Sequence, residues 1–228
     1  ISTLVQRLVT DYGKSSDQFD SGDLDTANLA AFAAAHTQPV GLYLTERENV
    51  LVACQKLASS IGAQLVMSRT GLLRLIQIAL PAVGTPTAIT ADNMYDRTLV
   101  IKERTEVVAA VKIGFCKNYT VQNGLLTTIP EDHKVMYTEE WLTETAQDTA
   151  VKAAYKLDAE PVQRDTCLQT RADAAAEALR QLNLYKVPRT IYEFVGHGAM
   201  FLLELGQAVT LTNSRFGLSA SLGMVVSL

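Results

Sequence analysis

Three histidines, three cysteines and a few clustered carboxylates are the residues whose types and spacing could do chemistry. His197 lies in Gly196-His197-Gly198, a turn-like setting. A catalytic imidazole needs a nucleophile and an orienting carboxylate in reach, and no recognisable nucleophile is present. The nearest pattern, Gly217-Leu218-Ser219-Ala220-Ser221, departs from G-x-S-x-G because Ser221 stands where the second glycine belongs. His197 is therefore expected to serve a turn. Glu131-Asp132-His133 offers three metal-capable groups in succession, but adjacent loop residues rarely converge on one ion, so surface polarity is expected. Glu139, Glu140 and Glu144 surround Trp141. Paired acids beside an aromatic suggest a glycosidase, which needs two carboxyls flanking a cleft at a defined separation. The plainer expectation is a solvated edge with one buried indole.

Cys54, Cys116 and Cys167 are odd in number and widely spaced, which fits neither a disulfide framework nor a CxxC zinc site. They are expected to be small buried hydrophobes in a reducing compartment. No phosphate loop, dinucleotide fingerprint or HExxH is found. Asn118-Tyr119-Thr120 matches a glycosylation sequon, read as chance in the absence of a secretion signal. No catalytic, cofactor-binding or metal residue is assigned, and no cofactor is expected.

The 228 residues are 48% hydrophobic and 19% charged, with 20 basic side chains against 24 acidic ones and a net charge of −4. Wholesale disorder is excluded. An acidic chain is a poor candidate for a dedicated nucleic-acid or anionic-membrane binder. Arg69, Arg74, Lys102 and Arg104 are interleaved with acids and form no stripe. Surface scaling gives roughly 10,200 Å² for a compact fold against about 36,000 Å² unfolded, so a real core is possible without disulfides or metals. No apolar run approaches the roughly 20 residues of a membrane span. The start, Ile1-Ser2-Thr3-Leu4, has neither a basic leader nor an initiator Met, and is read as an excised or processed piece.

Leu4, Val5, Leu8 and Val9 predict a helix over 1–12 that Gly13 ends. A polar loop leads to a second helix over 23–36. Residues 39–44 read as a short strand. Thr45 and Glu48 form a capping box for a helix to 61, with Val50, Cys54, Leu57 and Ile61 inward and Gly62 as its cap. A β-hairpin spans 64–78, with Gly71 supplying the left-handed turn residue. Pro81 and Pro86 mark an extended connection. Antiparallel strands are expected at 98–101, 107–113 and 119–121, and another at 134–142 ending at Trp141. Helices follow at 147–157 and 170–186, the latter capped by Thr170 and Asp173 with Ala174, Ala175, Ala178, Leu179 and Leu182 inward. The stretch 159–167 is ambiguous. Short strands are expected at 190–195, 199–203, 208–212 and 224–228. The fold class is α+β. Helical patterning gives way to strands near 91–96, which suggests a helix-rich α+β domain over 1–95 and a mainly β module over 96–228.

Four stretches together resemble the hub or tail-tip proteins of tailed bacteriophages, which are related to tail-tube proteins. Residues 39–50, Pro-Val-Gly-Leu-Tyr-Leu-Thr-Glu-Arg-Glu-Asn-Val, lead through a helix into the hairpin at 61–75. Residues 111–122 resemble a strand of that family, and 172–182 its Ala-rich helix. Leu203-Glu204-Leu205-Gly206-Gln207-Ala208-Val209-Thr210-Leu211 resembles the family's L-x-x-G-D-x-V-x-L, with Gln207 in place of the usual Asp. Their order covers about residues 37–228. The resemblance implies a central fragment of such a protein, antiparallel hairpins and a tube-like β-barrel module with packed Ala-rich helices. It further implies a homotrimeric ring joining the tail tube to fibre or spike proteins and enclosing the DNA conduit. Localisation would be the virion, after production in the bacterial cytoplasm, without sequence-specific nucleic-acid binding or a membrane segment. Two alternatives stand beside this structural, non-enzymatic reading. One is a cell-wall glycosidase or peptidase using Glu139, Glu140 or His133. The other is a binding module of a phage-like injection machine.

Overall fold

Val5 and Val9 turn inward from α1 (Ser2–Asp11), while Leu4 on the same helix stays exposed. This computed structural model describes residues 1–79 and 86–228. Pro81, expected in an extended connection, lies outside them. The chain is α+β. After two short 3₁₀ turns comes α2 (Thr26–Ala35), whose Asp25 cap accepts the Asn28 N–H.

The expected strand at 39–44 does not form: Val40 makes only an isolated bridge to Leu168, and no adjacent strand is there to propagate it. The Thr45/Glu48 capping box is absent too. α3 (Val50–Ser59) starts later because Asn49, nearer the apolar run, takes the cap and accepts the Leu51 N–H at 2.8 Å. Glu48 instead pairs with Lys56 at 2.5 Å. Gly62 beyond α3 has φ +66°.

The hairpin forms as expected. β1 (Ala63–Met67) and β2 (Leu73–Gln77) are antiparallel, with Leu65 opposite Leu75. Side-chain amides close its edges: Asn28 Oδ1 accepts the Leu75 N–H, and Gln55 Oε1 accepts the Leu65 N–H. Gly71 has φ +82°, and a Cβ there would meet nothing within 4 Å. Gly71→Val is therefore expected to cost about 1–3 kcal/mol through backbone strain alone. Denaturant unfolding reads this, and an unchanged midpoint would overturn the turn assignment.

β3 (Thr87–Ile89) and β4 (Val100–Arg104) come next, followed by β5 (Ala110–Phe115). The strand expected at 119–121 is absent. Residues 134–142 are not a strand either: α4 (Glu131–Thr138) begins after Pro130, and β6 (Leu142–Gln147) follows Trp141. Pro130 suits a helix start, and Val135-Met136-Tyr137 lacks the alternation of a half-buried strand. α5 (Thr149–Tyr155) is capped by Asp148, and the ambiguous stretch yields β7 (Gln163–Asp165). β5 is central, with β6 antiparallel on one side and β7 parallel on the other.

α6 (Arg171–Tyr185) begins where Thr170 Oγ1 accepts the Asp173 N–H. Ala174 and Ala178 are fully buried and Leu182 nearly so. Leu179, expected inward, is exposed; Glu177 and Gln181 lie inside instead. β8 (Thr190–Glu193) pairs with β4, not β4 with β5. Residues 199–203 are not a strand: a 3₁₀ turn occupies Gly198–Leu202. β9 (Ala208–Asn213) lies between β3 and β10 (Leu218–Met224). The last strand thus ends where one was expected to begin, because Gly217, at φ +65°, turns the chain earlier.

Buried apolar residues form two clusters. The larger includes Val5, Leu57, Leu75, Ile113, Leu168 and Ala178, and so draws on both sides of residue 95. The smaller comprises Ile89, Met94, Leu99, Leu203 and Val209, backed by Tyr192, Phe194 and Phe216. Among the described residues, strand pairing respects the same division: β1–β2 and β6–β5–β7 belong to the first, β10–β9–β3 and β4–β8 to the second. The accessible surface is 14117 Å², against roughly 10,200 Å² for a compact monomer of this size.

Candidate functional site

The sequence singled out the carboxylates around Trp141, and the structure spreads them over one edge. Glu140 pairs with Lys117 at 3.2 Å. The Lys117 ammonium also lies 5.1 Å from the Trp141 ring centroid and 5.3 Å from that of Tyr119. Trp141 is half-buried rather than buried. Glu144 projects from β6 and pairs with Arg171 at 3.6 Å. Glu139 follows α4 and lines a recess of about 260 Å³ with Cys116, Asn118, Met136 and Tyr137. Two of the three acids are thus held by cations in ion pairs on a solvated edge.

His133 sits in α4, its N–H donating to Pro130 O. Glu131 pairs with Lys134, one turn along. The Asp132 side chain lies outside what is described. Among the described residues no group of three His, Cys, Asp or Glu side chains gathers as a metal site would require. The His197 ring packs tilted against Tyr95, centroids 4.3 Å apart, and its backbone N–H donates to Asn93 O. It caps the Gly198–Leu202 turn, as the flanking glycines imply. Ser221 lies in β10 opposite Leu211.

Cys54 is fully buried, and burial pushes its thiol up to about 11. Cys167 is also pushed up by burial, although it and Cys116 are only half-buried, short of the expectation for all three. A raised thiol pKa leaves little thiolate at neutral pH, so Cys54 and Cys167 are poor nucleophiles. Asn118 of the sequon is engaged locally, its amide donating to Tyr137 O at 3.0 Å.

The most elaborate polar arrangement is one the sequence did not point to. Glu177 is buried beneath α6, its carboxylate gripped by Arg180 through Nε–Oε2 at 2.7 Å and Nη2–Oε1 at 2.8 Å. Arg180 Nη1 donates to Ile78 O at 2.6 Å. Gln181 Nε2 donates to Glu177 Oε1, and Arg164 Nη1 to Gln181 Oε1, both at 2.7 Å. His36 lies near this group with its pKa lowered, first by burial and then by the Arg180 guanidinium. The only warning in the sequence was Glu177 three residues before Arg180, a spacing shared by ordinary surface pairs. Each polar group here is satisfied by protein, so the arrangement fastens α6 to β7 and to the chain after β2.

A cleft of about 450 Å³ runs between β2 and residues 204–207. Arg74 lies in it, 3.7 Å from Asp25 and 3.5 Å from Glu204. No helix among the described residues is long and apolar enough to cross a membrane.

No family model matches this sequence, and no curated protein matches it. Among solved structures, the fold is similar to one described as the tail protein from Neisseria meningitidis MC58, at 12% identity and a TM-score of 0.40. The likeness covers 80% of this chain and 50% of that one, so the present chain spans about half the length of the protein it matches.

Proposed function

We propose that this chain is a structural, non-enzymatic part of a phage tail: a fragment of a hub or tail-tip protein that joins the tube to fibre or spike proteins as a homotrimer. Tube and fibre proteins would be its partners, and a tube-like barrel enclosing the DNA conduit belongs to this reading. The observation that carries it is the exposed surface. The chain leaves 14117 Å² accessible, about 4,000 Å² more than a compact monomer of its size. An obligate subunit interface commonly buries 2,000–5,000 Å² or so. Surface of that extent, with Phe201, Leu202, Leu126 and Val162 all well exposed, suits a subunit that works by contact.

The family-like stretches also fall on coherent pieces of the fold. They supply the β1–β2 hairpin, β5, the α6 helix packed on it, and the approach to β9. Gln207, which stands in place of the family's usual Asp, caps the turn it lies in. Its Oε1 accepts the Glu204 N–H at 3.1 Å, while its Nε2 donates to Thr87 Oγ1 at 2.8 Å. The Gln207 side chain thus closes the 204–207 turn and adds a tie to β3.

Size-exclusion chromatography with light scattering tests the reading, with a zymogram on bacterial cell walls beside it. The expected result is a trimer without lytic activity. A monomer at high concentration would count against assembly through this fragment. Cell-wall clearing that Glu139→Gln abolishes would replace the structural reading with a glycosidase.

A further inference from the structure

The two apolar clusters share no buried residue, and no described strand pair joins them. Among the described residues, what crosses between them is sparse: a few polar contacts and the Ile76 side chain against Gly206. Arg74 Nη1 lies 3.5 Å from Glu204, a charge contact too long for a good hydrogen bond. The Arg74 Nε is buried without a hydrogen-bond partner. Arg69 Nη1 reaches Leu203 O at 3.4 Å, and its guanidinium lies 5.5 Å from the Phe201 ring centroid. The cleft at this seam is not poised for a ligand, because its amides are already engaged within their own side. Asn28 accepts from Leu75, Gln77 donates to Ile61 O, and Gln207 spans Glu204 and Thr87.

The chain passes between the two units three times; one passage is the connection from β2 to β3, residues 78–86, and at the other end of the seam the remaining two run side by side. Thr105 N–H donates to Arg189 O at 2.8 Å, and Arg189 N–H donates to Thr105 Oγ1 at 2.9 Å. Further along, Val108 N–H donates to Tyr185 O at 3.1 Å. Between these rungs lie Glu106 and Val107 on one crossing, and Lys186, Val187 and Pro188 on the other. Lys186 is tied back to Asp148 at 3.6 Å, which leaves residues 187–188 as the narrow point on that crossing.

We propose that the two clusters are a hinged pair, bending at residues 106–107 and 187–188, with Arg69 and Arg74 as a salt-sensitive latch across the cleft. Units joined by a small, mostly polar interface move relative to one another unless a large apolar contact prevents it, and none is present between these two among the described residues. Among the described residues, opening the cleft breaks the long Arg74–Glu204 contact, the Arg69 contacts and the packing of Ile76 on Gly206. The bend at 187–188 works against one further tie, Arg189 Nε donating to Leu184 O at 2.8 Å, while every ladder within each unit survives. Such a joint lets the chain adjust the angle between its units when neighbours bind, and it stands independently of which assembly the chain enters.

The test is a pair of intramolecular distances measured by pulsed electron resonance. Labels at Ser59→Cys and Ser219→Cys report across the hinge; labels at Ser59→Cys and Ala172→Cys report within the larger unit. Cys116 and Cys167 are replaced by serine, and labelled chains are diluted into unlabelled ones so that only intrachain distances are read. The cross-hinge distribution is expected to be broader than the control and to move to longer distances when Arg69→Ala and Arg74→Ala are added. A cross-hinge distribution as narrow as the control and unmoved by the two substitutions would overturn the hinge. If the labelled chains do not fold, X-ray scattering of the unsubstituted protein reads the same latch. A radius of gyration that grows with salt supports it, and one independent of salt overturns it.

Discussion

Arg180→Ala is expected to lower folding stability by about 2–4 kcal/mol, the largest effect of any single side-chain truncation at the protein's polar sites. The reason is what remains behind. Glu177 is 5% exposed and takes two charge-assisted hydrogen bonds from Arg180. Without the guanidinium, a buried carboxylate keeps only the Gln181 amide, and Ile78 O loses its donor. Arg180 itself is about a quarter exposed, which places the expected cost below that of a fully buried pair. Urea unfolding monitored by circular dichroism measures it. Two further variants separate charge from packing. Arg180→Met keeps the aliphatic stem and is expected to lose nearly as much as alanine. Glu177→Leu combined with Arg180→Met removes both charges and is expected to recover most of the loss. An Arg180→Ala midpoint equal to that of the parent would mean that the carboxylate reaches solvent and the network fastens nothing.

This network shows why parts of the fold were legible in the sequence and parts were not. α6 was readable because its signals are local: Thr170 and Asp173 at the start and a run of alanines behind. What its faces touch depends on β5, β6 and β7, which arrive from distant segments, so Leu179 was expected inward and is exposed, while the burial of Glu177 went unread. The β1–β2 hairpin was readable for the same reason as α6, since Gly71 and five paired residues on either side suffice. By contrast, β6 reads Leu-Thr-Glu-Thr-Ala-Gln, mostly polar, and is a strand because β5 offers it a ladder. Residues 39–44 are apolar enough to be a strand and fail because only Leu168 is available to pair. Pairing is a tertiary event, and spacing along one segment carries no record of it.

The candidate site divides along the same line. Residue types near Trp141 were visible, and so was the possibility of paired acids. The separation that decides between catalysis and a solvated edge depends on how β6, α4 and residues 116–118 fold together. Once Lys117 and Arg171 are placed, Glu140 and Glu144 serve as ion-pair partners. His197 was legible because its setting, a histidine between glycines, is a property of three consecutive residues.

Gly62→Ala is the second large effect, and it is coupled to the first. Gly62 has φ +66°, where an alanine is strained by about 1–2 kcal/mol. The added Cβ would also run into Arg180 Nη2, with Glu177 Oε1 at 3.2 Å. An arginine tip ordinarily swings aside at little cost, but this one is held by Glu177 and by Ile78 O. Gly62→Ala must therefore either shift the backbone or break the buried pair, and a total loss of about 2–4 kcal/mol is expected. In an Arg180→Ala background the obstruction is gone, and only the backbone strain of about 1–2 kcal/mol should remain. The double variant should accordingly be more stable than the two single losses predict, by about 1–2 kcal/mol, a coupling measurable by urea unfolding of all four proteins. Strict additivity would mean that the Arg180 tip moves freely and that Gly62 is required for its backbone angle alone. The predicted coupling would mean that this glycine is needed for two independent reasons. It turns the chain out of α3, and it leaves the space in which Arg180 neutralises a carboxylate buried under α6.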